Sequence, residues 1–600
     1  MTGKSIELDP VLDALKPLGK YQVVQTLLFF ISYFSCSYSL FAIIFTGQKA
    51  KHSCESGFNA TSSHADELNG DWNNGTVVHY GKCSITYTSN GSSGSGISSV
   101  IHEETPCIYG MQYYDKAKDF SIITEFDLVC GRAPLAGLSQ TLLTLGQGFG
   151  AVLFTALSDR FGRKRIQVIT HALLICGSLV IGFAPDYVTF AVFKLFVGAV
   201  QQGVVLTTVT ANVESFPGRY RGYIAGFVGA VWWAIVTSSL TPWAYLLRGY
   251  SWRVLQLATT SVGVVIILQM IYLREPMRWL LANGRSHEVV EQLKRAAKMN
   301  KRSVQEILDV FHHLHREQEK NVNTHTDDVT IHPDDVRAQN DDVNAKGDDV
   351  ADKNGENPES APLNASLLAL EAELEEVKAR KLNCLDLLRH RRLRVNALCL
   401  WAIWFINSLT YFALFLMSGS LTDNIYLSFF LNVAVEVPAS IIFMFCIERI
   451  GRKRTLLLFH IIAAVSLLAS GVLVSFSGTP GIKIAATVMT LIGKLGISGS
   501  FGCVFFFTPE IFPTNIRNLA IGTGSTAARV GGMISPFIGL LAEKAVWAPG
   551  ALFGTCNLLV VVIIRLLPES MGRELPQTID DLEAWYKRPE NNEGEEKSQK

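Results

Sequence analysis

Six hundred residues would ordinarily mean several soluble domains, but 48% hydrophobic against 18% charged side chains excludes that reading. The apolar residues come in blocks of about 20, the length a helix needs to cross about 30 Å of hydrocarbon. The formal net charge of zero sums a bilayer part with polar loops and gives no reason to expect a nucleic-acid partner. A Gly-x-x-x-x-Gly-Lys-Ser/Thr phosphate loop, which a primary pump would need, is missing from the sequence. No nucleophile–base pair or metal-ligand cluster emerges either, so no enzyme activity and no cofactor are expected.

Residues 1–20 form a short polar leader. The first apolar block, Tyr21 to Phe45, is too long for a signal core and lacks a basic leader and a small-residue cleavage site, so it reads as the first span. A polar insert follows over 47–134. It holds Cys54, Cys83, Cys107 and Cys130, and three glycosylation sequons at Asn59, Asn74 and Asn90. Together these predict an oxidising, lumenal side with two disulfides, in any of three pairings. Further spans are predicted at 135–157, 166–184, 188–210, 222–246 and 253–273.

The polar region 274–394 reads as amphipathic helix over 275–320, then an acidic linker over 321–362 with four Asp-Asp-Val repeats. One Val in seven cannot build a coiled-coil seam, so the linker is expected to be disordered. A helix at 364–382 leads back to the membrane, and the sequon at Asn364 is expected to go unused. Six more spans follow, at 395–417, 424–447, 455–476, 482–507, 518–541 and 546–567, before a polar tail over 568–600.

The two halves repeat. Asp159-Arg160-Phe161-Gly162-Arg163-Lys164-Arg165 returns as Glu448-Arg449-Ile450-Gly451-Arg452-Lys453-Arg454, an offset of 289 residues (159 to 448). Glu214-Ser215-Phe216-Pro217 with Arg221 returns as Glu510-Ile511-Phe512-Pro513 with Arg517. The sequence therefore predicts an all-α membrane protein: twelve transmembrane helices in two pseudo-symmetric six-helix bundles, over 21–273 and 395–567. Alternating the spans puts Arg160, Arg163, Arg165, Arg219, Arg221, Arg391, Arg394, Arg452 and Arg454 on one side, which excess basic charge marks as the cytoplasm. Both termini are then expected inside, with the insert outside and the chain in the plasma membrane as a monomer.

These features resemble a major facilitator superfamily transporter. The Asp159 and Glu448 motifs are similar to its loop signature Gly-x-x-x-Asp-Arg-x-Gly-Arg-Arg, with Thr155 and Met444 in place of Gly. The cysteine-rich insert, Ser121 to Cys130, and Pro509-Glu510-Ile511-Phe512-Pro513-Thr514 with Arg517 narrow the resemblance to the organic cation, anion and carnitine transporter family. That resemblance implies a secondary transporter of small organic ions that exposes a central site alternately to each side.

Candidate site residues follow from charge inside the spans. Burying one charge at mid-bilayer costs about 2.5–3.5 kcal/mol, so Lys194, Glu436, Lys494 and Arg529 are expected to face a cavity or one another. The resemblance implies that Arg529 lies in the central cavity, at a position where cation-selective relatives carry an acid. A guanidinium there grips a carboxylate with two parallel hydrogen bonds, which favours organic anions or zwitterions such as carnitine over simple cations. Trp404, Ser408, Tyr411 and Phe415 share one helical face by three- and four-residue spacing and are predicted to line the same space. Asp159, Arg160, Arg163, Glu214, Arg221, Glu448, Arg449, Arg452, Glu510 and Arg517 are predicted to form a cytoplasmic gate. A non-transporting receptor built on the insert and the linker is the alternative from another class.

Overall fold

The computed structural model describes residues 8–55, 70–72, 76–91, 99–114, 117–314, 386–420, 422, 424–476, 478–513, 516–573, 575–576 and 579–586. Asn59, Asn74, the linker over 321–362, the sequon at Asn364, the helix expected over 364–382 and Thr514 lie outside them.

Among the described residues, nine helices are long and apolar enough to cross a membrane. The remaining three spans are shorter or interrupted, and each interruption has a local cause. Span 5 runs from Gly218 to Leu246 through a π-helical turn at Tyr223–Val228. Span 11 runs Arg517–Ile534 and resumes after Pro536 as Ile538–Lys544. Span 12 is Ala548–Ile564. Span 8, one of the nine, also breaks, between Ile425–Ala434 and Glu436–Arg449. Pro438 has no N–H for the carbonyl of Ala434, so the ladder opens there and Glu436 stands at the break.

Capping residues set where the spans begin. The Asp186 side chain accepts the Thr189 N–H at the start of span 4 (Tyr187–Ser215), and Asn424 does the same for span 8. Span 2 (Ala133–Phe161) and span 4 approach until their backbones touch. A Cβ on Gly146, Gly150 or Gly198 would lie 2.0 Å from a carbonyl oxygen of the other helix.

The two-fold repeat extends to buried polar pairs. His171 of span 3 (Arg163–Gly182) bonds through Nδ1 to Gln269 of span 6 at 2.7 Å. His460 of span 9 (Arg452–Ser475) bonds through Nδ1 to Asn557 of span 12 at 2.9 Å. The two histidines are again 289 residues apart (171 to 460).

The membrane part is helical throughout, as expected, while the insert adds strands that the sequence reading did not contain. Strand β1 (His52–Cys54) pairs antiparallel with β6 (Met111–Tyr113). Between them β2 (Gly70–Trp72), β3 (Thr76–Tyr80), β4 (Ser84–Gly91) and β5 (Ser99–Pro106) form an antiparallel meander. Asn90 sits on β4 opposite Val100. The pairing left open by the sequence is Cys54–Cys107 and Cys83–Cys130. Glu125 then ties the insert to span 6 by accepting from Trp252 and Arg253.

Candidate functional site

Arg529 lies about midway along span 11, and its guanidinium reaches across to the other bundle. Its Nη1 donates to Gln147 Oε1 of span 2 at 2.8 Å. Gln147 Nε2 donates to Gln201 Oε1 of span 4 at 2.6 Å, and Gln201 Nε2 to the carbonyl of Cys36 in span 1 at 2.9 Å. From this level toward the insert, spans 2 and 11 are in contact. Thr141 Oγ1 donates to the carbonyl of Met533 at 2.8 Å, Gly532 packs against Thr144, and Gly137 against Phe537.

Toward the basic motifs the same two helices part. Gly137, Thr141, Thr144, Gly148, Val152, Thr155 and Asp159 form one stripe at three- and four-residue spacing. Its first half meets span 11. Its second half is open, with Val152 77% exposed and Thr155 and Asp159 exposed as well.

Aromatic rings complete the closure on the insert side. Phe41 of span 1 stacks on Phe415 of span 7 (Arg391–Leu416) with centroids 4.4 Å apart, and meets Phe429 of span 8 edge-on at 6.3 Å. Phe45 stacks on Tyr426 at 5.6 Å, and Tyr245 of span 5 meets the same Tyr426 edge-on at 5.5 Å. Such pairs contribute about 0.5–1.5 kcal/mol each beyond their buried area. Lys49 adds an ion pair to Glu543 across the two bundles.

The other intramembrane charges do not face open space. Lys494 of span 10 (Pro480–Glu510) pairs with Glu436 at 3.1 Å, and both side chains are almost fully buried. The rings of Tyr411 and Phe415 close over the ammonium at 3.4 and 3.7 Å from their centroids. Of the two expected outcomes these charges face one another and not a cavity in this state, packed beneath rings one of which, Phe415, also stacks on Phe41 of the other bundle. Trp404 is also buried: its Nε1 donates to Thr508 and its ring packs on Phe501 and Phe505. Ser408 is buried against Gly532. Lys194 is buried on span 4 beside the ring of Phe190. The four-residue face therefore splits, with Trp404 facing span 10, Ser408 facing span 11, and Tyr411 and Phe415 covering Lys494.

The gate residues sort into two similar clusters, each within its own bundle. Arg163 bonds Glu214 through Nε and Nη2 and pairs with Asp159 at 2.9 Å. Arg452 bonds Glu510 through Nε at 3.1 Å, and Ser570 also donates to that carboxylate. Arg221 does not join Glu214. It bonds the carbonyl of Phe216 and pairs with Asp9 on the short helix Asp9–Ala14. Burial works against the Asp9 carboxylate, but hydrogen bonds from Arg278 and the Gly218 amide hold its carboxyl below the usual range. Arg160 and Arg449 lie over the neighbouring rings of Phe161 and Phe445, Glu448 is exposed, and Arg517 opens span 11.

Two acids complete these clusters that the motif reading left out. Glu275 accepts the Lys164 N–H at 2.9 Å, and Glu569 the Arg452 N–H at 3.0 Å, each capping the helix that follows its motif. The connection demands glycine in both halves: Gly162 has φ +104° and Gly451 φ +96°, with the cap carboxylate against each. Both acids carried a signal in the sequence, standing beside a proline just past an apolar block. Gln147 and Gln201 are amides inside spans, a weaker sequence signal than a full charge. In the insert, His52 Nε2 lies 3.9 Å from Cys130 Sγ, but that sulfur is committed to a disulfide and is no thiolate ligand.

The profile of the Major Facilitator Superfamily matches residues 122–536. The chain belongs to that superfamily. Within the superfamily it is similar to Solute carrier family 22 member 6 of Bos taurus, 28% identical over 481 residues, covering 80% of this chain and 76% of the relative. It is also similar to the Organic cation transporter protein of Drosophila melanogaster, 28% identical over 587 residues, covering 97% and 95%. Organic anion transporter 3 of Homo sapiens is 29% identical over 486 residues, covering 80% and 77%. These relatives bear out the resemblance to organic cation and anion transporters. Among solved structures, the xylose transporter XylE from E. coli shares the fold, with TM-score 0.54 at 13% identity, over 94% of this chain and 99% of that one. This superfamily member is a multi-pass membrane transporter, not an enzyme.

Proposed function

We propose that the chain moves small organic anions or carboxylate zwitterions such as carnitine across the plasma membrane by alternating access. One observation carries the substrate sign: Arg529, a fixed cation at mid-membrane between the bundles, bonded only to a neutral amide among the described residues. Its charge is thus left uncancelled for a carboxylate. The similarity to proteins named as organic anion transporters supports the same sign.

The basic motifs support a cytoplasmic location for the side opposite the insert. The Cys54–Cys107 and Cys83–Cys130 bridges and the sequons support an outside location for the insert. The protein is then in an inward-facing state, closed outside by rings and open inside along span 2. The ion pairs of the two motif clusters stay within their bundles here, and closing the inner side brings the Asp159 stripe onto span 11. The transporter works as a monomer with both termini inside.

Uptake of labelled hippurate, carnitine and tetraethylammonium into expressing cells tests the proposal. Arg529→Asp should abolish hippurate and carnitine uptake at unchanged surface amount. Equal carboxylate uptake by that variant would overturn the assigned sign.

A further inference from the structure

The Arg529–Gln147–Gln201–Cys36 relay has a direction fixed at both ends. A guanidinium only donates, and a backbone carbonyl only accepts. The Cys36 carbonyl therefore fixes the Gln201 amide with its nitrogen toward span 1 and its oxygen toward Gln147. Gln147 in turn must donate to Gln201 and present its own oxygen to Arg529. Amide orientations are ordinarily ambiguous, but here neither can flip without losing a bond. Both glutamines are almost fully buried, and the relay crosses from one bundle to the other.

The chemistry of the acceptor matters as much as its position. Gln147 occupies only Nη1, and Nε and Nη2 have no partner among the described residues. A neutral oxygen orients the guanidinium without cancelling its charge, which a glutamate at this position would do. We propose that Gln147 is a positioning residue for carboxylate selectivity. It holds Arg529 so that the Nε–Nη2 edge is free for both oxygens of a substrate carboxylate, and Gln201 holds Gln147 in register. This rests on the organic-anion reading above and adds to it the residue that aims the cation.

The test measures uptake kinetics in intact cells, with surface amount measured alongside. Gln147→Leu should raise the hippurate KM at least fivefold while kcat per surface molecule stays within twofold. Gln201→Leu, which frees the Gln147 amide to turn, should shift KM the same way by less. Gln147→Glu should raise the hippurate KM at least tenfold and leave tetraethylammonium uptake equal to or above that of the parent. In an Arg529→Lys background, Gln147→Leu should add nothing, a coupling that a purely structural role would not produce. Should Gln147→Leu fail to reach the surface, Gln201→Leu and Gln147→Glu read the same question. An unchanged hippurate KM in the surface-expressed variants would overturn the assignment of Gln147 while leaving the anion reading intact. Parent cells that take up neither hippurate nor carnitine would bring down both.

Discussion

Removing one partner of the Lys494–Glu436 pair gives the sharpest forecast about how the C-terminal bundle is held together. The two groups are 3.1 Å apart, with side-chain exposures of 1% and 8%, and the ammonium lies under two rings. Breaking such a pair leaves an uncompensated buried charge and costs about 3–5 kcal/mol, whereas replacing both partners by apolar side chains of similar volume is often neutral. Against a net stability of about 5–15 kcal/mol, the single change removes a large share. Glu436→Gln should therefore lower surface delivery and the thermal midpoint in detergent, and Lys494→Met should do the same. The apolar double variant Glu436→Leu/Lys494→Met should recover most of both, since the Met sulfur can keep favourable contact with Tyr411 and Phe415. If Glu436→Gln alone matches the parent, or the double variant is no better than either single, the pair is not the structural element described here. A substrate-contact role would instead show as lost uptake at full surface amount.

Two further changes address the closure and the motif loops. Phe41→Ala removes two cross-bundle ring contacts worth roughly 1–3 kcal/mol together, a shift of roughly 5- to 150-fold in the balance between states. Labelling of a cysteine at Thr144 by an impermeant maleimide from outside should speed up accordingly, and an unchanged rate would count against the ring seal. Gly162→Ala combines a backbone conformation costing of order 1–3 kcal/mol for a side chain with a Cβ 2.4 Å from Glu275 Oε1. Its thermal midpoint should fall, and Gly451→Ala should fall in parallel because Glu569 makes the same cap in the other half.

Much of the fold was legible because apolar blocks and basic loops are long, redundant signals. Span ends were read short, since Arg163 and Arg452 begin helices whose first turns are polar. The strands of the insert were hidden because each is only three to eight residues long within a polar stretch. Charge inside a span was also readable, yet spacing alone cannot distinguish a cation in a passage from a cation in a pair. Arg529 proved to reach a neutral amide of the other bundle, and Lys494 to pair with an acid of its own. The shared face of Trp404, Ser408, Tyr411 and Phe415 failed as a cavity wall because span 10 covers Trp404, Tyr411 and Phe415 and span 11 covers Ser408. Gln147 escaped notice because an amide costs less to bury than a charge, and its partner is 382 residues away.

If one passage beside Arg529 opens to each face in turn, cysteines placed at Val152 and Thr144, on the open and closed halves of one stripe, should label reciprocally. Without substrate, Val152→Cys should label from the cytoplasmic side and Thr144→Cys should be protected from outside. Conditions that favour the outward-facing state should exchange the two rates. Rates that rise and fall together, or a Thr144→Cys site open from outside while Val152→Cys is open from within, would contradict alternating access in this chain.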